Sequence, residues 1–83
     1  MKIRVRYFAQ LREALGLAEE ELDTRATDVA GLRLALMERG GAYADALASG
    51  QAIRCALNQQ LCAPGTPLTE GAEVAFFPPV TGG

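Results

Sequence analysis

With 83 residues the chain has room for one hydrophobic core and no second domain. Its 49% hydrophobic and 22% charged residues are ordinary for a folded soluble domain, and a net charge of −2 without any Lys/Arg cluster argues against nucleic acid as a partner. No apolar run approaches the ~20 residues of a membrane span and no signal-peptide core follows Met1, so no membrane role and a cytoplasmic location are expected.

Residues Lys2 to Phe8 alternate, with Ile3, Val5 and Tyr7 on one face and Arg4, Arg6 and Phe8 on the other, which predicts a half-buried strand. Phe8 stands out as an aromatic on the face that otherwise carries arginines. Ala9 to Leu15 reads as a short helical turn with Leu11 and Leu15 four apart, stopped at Gly16 by a left-handed cap. Ala18 to Asp23 is a weaker strand, and the run Glu19, Glu20, Glu21 reads as the solvated face of a sheet edge that discourages further pairing.

A helix is predicted to begin at Thr27 or Asp28, both good N-caps. Val29, Leu32 and Leu36 give it a core-facing stripe, and Gly40-Gly41 is read as its end. Gly31 in its interior costs about 1 kcal/mol relative to Ala and calls for a packing reason. A further short helix over Ala42 to Leu47 is followed by a break at Ser49-Gly50 and a strand from Ile53 to Leu57. Asn58-Gln59 suits a two-residue turn, because Asn tolerates positive φ, and Gln60 to Ala63 is the return strand. Pro64-Gly65 and Pro67 mark a loop, Glu70-Gly71 a turn, and Glu73 to Phe77 the last strand, Val74 and Phe76 alternating against Ala75 and Phe77. This order gives an α+β chain, one mixed sheet with a helix packed across one face.

The predicted two-residue turn pairs residue 57 with 60 and 55 with 62, so Cys55 and Cys62 face each other on the core side of the hairpin, whereas a three-residue turn would put them on opposite faces. In a reducing compartment they read first as small buried hydrophobes; a disulfide, or a redox or sulfur-carrying role, is the alternative. The same register turns Leu61 outward. Phe8, Leu61 and Phe77 then form an apolar group on the sheet face opposite the helix, the mark of a partner surface unless they are scattered singly or capped by a loop. The absence of histidine removes Ser/His and Cys/His catalysis and most zinc sites, and no glycine pattern cradles a phosphate. As a free-standing enzyme the chain is badly equipped.

The chain ends Phe76-Phe77-Pro78-Pro79-Val80-Thr81-Gly82-Gly83. Two prolines have no N–H to donate, so the strand stops there and the chain leaves the sheet. A body over residues 1–77 and a tail over 78–83 follow; extended, the tail reaches roughly 18 Å and ends in two residues slim enough for a narrow slot.

This C-terminal string resembles the molybdopterin synthase small-subunit family, whose members end in Phe-Phe-Pro-Pro-Val-x-Gly-Gly. Tyr7-Phe8-Ala9-Gln10-Leu11-Arg12-Glu13, Asn58-Gln59 and the segment Pro67 to Ala75 extend the resemblance over the whole chain. It implies a ubiquitin-like β-grasp and a sulfur carrier. Gly83 would be adenylated by an ATP-using adenylyltransferase resembling ubiquitin-activating enzymes, then converted to a thiocarboxylate. That sulfur would pass to cyclic pyranopterin monophosphate to build the molybdopterin dithiolene, with the pocket and acid/base groups in a large subunit. The resemblance further implies that Phe8, Arg12, Leu61, Phe77 and the tail residues Pro78, Pro79, Val80 and Thr81 contact that subunit. It implies two small and two large chains per assembly, with Gly82 giving slimness beside the reacting Gly83, and no cofactor or metal held by the chain itself. Other readings on the same fold are a carrier for thiamin or tRNA thiolation, a ubiquitin-like modifier attached to lysines, and an interaction module with an inert tail.

Overall fold

The structure, a computed structural model, describes residues 1–48, 50 and 52–79. Among these residues five strands and three helices follow in the order β1 (Lys2–Tyr7), α1 (Gln10–Leu15), β2 (Glu19–Asp23), α2 (Val29–Met37), α3 (Gly41–Ala46), β3 (Arg54–Leu57), β4 (Gln60–Cys62) and β5 (Glu73–Phe77). The strands form one mixed sheet in the order β2-β1-β5-β3-β4. The central pair β1/β5 is parallel and the other three pairs are antiparallel. The β-grasp expectation holds.

The alternation read in β1 sets what lies under the sheet. Ile3, Val5 and Tyr7 are buried together with Val74 and Phe76 of β5, Cys55 of β3 and the stripe Val29, Leu32 and Leu36 of α2. Asp28 caps α2, its side chain accepting from the Gly31 N–H at 2.7 Å. That cap supplies the packing reason for Gly31: a Cβ there would meet Asp28 Oδ1 at 3.0 Å and Ala26 Cβ at 3.5 Å.

Two expectations need correction. Helix α2 closes at Met37 with Glu38 as its C-cap, and Gly40 (φ 77°) instead starts α3 as its N-cap. The Arg39 and Gly40 N–H groups already turn back to the carbonyls of Leu36 and Met37, ending the helix before the glycine pair. Glu20 is not part of a solvated face. Its side chain is half-buried, the carboxylate accepting from Tyr7 Oη at 2.9 Å, Tyr43 Oη at 2.7 Å and Arg39 at 2.8 Å. Glu20 pairs with Val5, so its side chain points to the helix side of the sheet, while Glu19 and Glu21 point to the other and are exposed. β2 is an edge strand as expected. Among the described residues no helix is long and apolar enough to cross a membrane.

Candidate functional site

The sheet face away from α2 is divided by chemistry. On β1 and β2 it is charged: Arg4 reaches Glu21 at 3.1 Å and Glu19 at 3.6 Å. The hydrogen bond to Glu21, then the charge of Glu19, push the Arg4 pKa further up. Toward β5 and β3 the face becomes apolar. Phe8, Ala9, Ala56, Ala75, Phe77, Pro78 and Pro79 line an open trough whose polar members are Arg6, Gln59 and Glu73.

Each wall has a local cause. β1 and β5 run parallel with Arg6 opposite Ala75, so the outward residue after Arg6 is Phe8 and after Ala75 is Phe77. Phe8 is 39% exposed, and the Arg6 guanidinium lies over its ring at 5.1 Å while reaching Glu73 at 3.9 Å. Ala9, with φ 52° and ψ −126°, turns the chain from β1 into α1. That is a conformation usually left to glycine, and its strain costs on the order of 1–3 kcal/mol at the edge of the trough.

Asn58 (φ 50°) and Gln59 (φ 69°) form the two-residue turn between β3 and β4, both left-handed as a type I′ hairpin turn requires. The turn sets the expected register, Cys55 opposite Cys62 and Ala56 opposite Leu61. Leu61 therefore points outward, 68% exposed, one strand beyond the trough wall formed by Ala56. Asn58 also ties the hairpin to β5: its N–H donates to the Glu73 carbonyl at 2.8 Å and its Oδ1 accepts from the Glu73 N–H at 3.0 Å.

β5 delivers the tail. Phe77 is the last strand residue, opposite Arg54, and the chain then leaves as Pro78-Pro79, both half-buried at the trough. Pro78 also lines a small recess on the other side with Gln10, Leu11, Ala14, Ala46, Ala52 and Ile53. The root of the tail is thus bedded between the open face and the α1/α3 side. Val80, Thr81, Gly82 and Gly83 lie outside the described residues.

Of the residues expected at the site, Phe8, Phe77, Pro78 and Pro79 come together in one trough, and Leu61 flanks it. Arg12 is exposed on α1 and is not among the lining residues. Arg6, Ala9, Ala56, Gln59, Glu73 and Ala75 complete the trough and carry no site expectation from the sequence. The signal was present for three of them, since alternation puts Arg6 on the face of Phe8, and Glu73 and Ala75 on the face of Phe77. Among the described residues no three His, Cys, Asp or Glu side chains group to hold a metal.

Residues 5–83 match the ThiS family. The molybdopterin synthase sulfur carrier subunit of Escherichia coli (strain K12) is 43% identical over 81 residues, covering 98% of this chain and 99% of the relative. Among solved structures, the small archaeal modifier protein SAMP1 from Haloferax volcanii is similar with a TM-score of 0.77 and 28% identity over the full length of both chains. A chain in the complex of subunits 1 and 2 of the molybdopterin-converting factor from Helicobacter pylori 26695 is similar with a TM-score of 0.69 and 28% identity, again over both full lengths.

Proposed function

The chain belongs to the ThiS family, and we infer on that premise that it is a sulfur carrier subunit of molybdopterin synthase whose sulfur is carried on Gly83. The observation that carries the reading is the exit of β5: the strand ends at Phe77 in an apolar trough, and Pro78-Pro79 lead the C-terminus out beside it. A partner seated on that face would receive the tail in its own pocket.

The chemistry follows from the terminus. A C-terminal carboxyl with an ordinary pKa of ~3.5 is ionised at neutral pH and is a poor electrophile. Its oxygen would attack the α-phosphorus of ATP on an adenylyltransferase partner, releasing pyrophosphate. A sulfur donor then attacks the acyl carbon, AMP leaves, and Gly83 ends in a thiocarboxylate. The tail holds this ionised sulfur at high effective concentration in the large subunit, where it would pass to cyclic pyranopterin monophosphate. ATP belongs to the activating partner, and the acids and bases of the transfer belong to the large subunit.

A large-subunit partner fits the apolar trough and the similarity to a two-subunit molybdopterin-converting factor. A heterotetramer of two small and two large chains, contacts from Arg12, Val80 and Thr81, and a cytoplasmic setting complete the proposal. The similarity to an archaeal modifier protein favours one second reading, attachment of Gly83 to lysines. The product separates the two: a dithiolene, or an isopeptide. Deletion of Gly83 tests the carrier reading. Sulfur transfer in the assembled synthase should be lost with the thermal midpoint unchanged, whereas transfer retained by the deleted chain refutes it.

A further inference from the structure

Cys55 and Cys62 are both free, and their sulfurs stand 3.5 Å apart across the β3/β4 hairpin. They are directly opposite in register, a spacing at which antiparallel Cα atoms lie roughly 4.5–5.5 Å apart, inside the range a disulfide spans. Closing the bond needs the sulfurs to approach by roughly 1.5 Å with no change of register. The two thiols are unequal. Cys55 is buried in the core, and burial first, then its neighbour Cys62, pushes its pKa up to about 11. Cys62 lies on the edge strand β4 and is half-buried, so it is the sulfur an incoming molecule meets.

We propose that Cys55 and Cys62 form a reversible dithiol/disulfide site whose substrates are low-molecular-weight disulfides. The Cys62 thiolate attacks one sulfur of the small disulfide, whose S–S bond breaks and releases the first thiolate. Cys55 then attacks the Cys62 sulfur of the mixed disulfide and expels the second. The pair loses two electrons and two protons; one small disulfide gains them and leaves as two thiols. Excess small thiol runs the sequence backwards. The site is independent of Gly83. Because Leu61 adjoins Cys62 and faces Ala56, the bond locks the strand pair that carries part of the apolar docking face.

The test uses the native full-length chain with oxidised glutathione, quenched by an alkylating agent and read by intact mass and peptide mapping. The expected product is monomeric, lighter by two hydrogens, with neither cysteine alkylated and a Cys55–Cys62 crosslinked peptide that disappears with excess reduced glutathione. Cys55→Ser should stop at a glutathione adduct on Cys62, while Cys62→Ser should react roughly tenfold more slowly. A stable wild-type adduct without the crosslink, a disulfide-linked dimer or an unreacted chain overturns the proposal. The wild-type crosslink decides the matter even if a serine variant fails to fold.

Discussion

Replacing Glu20 by Ala removes one carboxylate that three side chains share. Tyr7 is 1% exposed, and its hydroxyl donates to Glu20 Oε2 at 2.9 Å. Without that acceptor a buried hydroxyl is left unsatisfied, at a cost of about 1–3 kcal/mol. Tyr43 and Arg39 are less enclosed and can turn to water, adding about 0.5–1 kcal/mol together. The expected loss is therefore roughly 1.5–4 kcal/mol, against a total of about 4–12 kcal/mol for a domain of this length. Urea unfolding followed by circular dichroism measures it, with the midpoint falling and the slope unchanged. The carboxylate also has a pH signature. Burial alone would raise the Glu20 pKa, but the hydrogen bonds from Arg39, Tyr43 and Tyr7 outweigh it and hold the pKa below the ordinary glutamate value. A depressed folded pKa stabilises above the unfolded value and is lost as pH falls through the folded one. Wild type should thus lose stability on acidification below the ordinary glutamate range, and Glu20→Ala should lose less. A stability loss under about 0.5 kcal/mol, within the range of ordinary surface substitutions, would refute the shared-acceptor account.

Phe77→Asp puts a charge in the apolar trough and should weaken large-subunit binding by roughly tenfold or more by calorimetric titration, while a cooperative unfolding transition is retained. An unchanged dissociation constant counts against the trough as the docking face. Gln59→Gly relieves a left-handed residue in the hairpin turn and should stabilise by about 0.5–1 kcal/mol, raising the thermal midpoint by roughly 2–8 °C; no rise would contradict the turn geometry.

The sequence was most legible where structure is local. Alternation in Lys2–Tyr7 assigned the buried face of β1, and the turn chemistry of Asn58-Gln59 fixed the Cys55/Cys62 register across its hairpin. Asp28 announced the start of α2 because capping depends on a neighbour three residues away. Long-range pairing was not legible. Glu20 sits in a run of three glutamates, and its partners lie 13 to 23 residues away on β1, on α3 and in the link between α2 and α3. The glycine pair after α2 is ambiguous in the sequence because a left-handed residue can end one helix or open the next, and the Arg39 and Gly40 N–H groups already take the carbonyls of Leu36 and Met37. At the site, the three large apolar residues were visible as a group. Ala56 was not, because a small residue gives no signal until the strands beside it are placed.

The carrier account meets its most direct test in the mass of the chain after incubation with its adenylyltransferase, ATP and a sulfur donor. Exchange of one oxygen for sulfur adds about 16 Da, which oxidation of a cysteine or methionine also gives, so fragmentation must locate it. A sulfur carrier takes the added mass on Gly83, as a thiocarboxylate. A terminus left unmodified by a competent activating partner would contradict it.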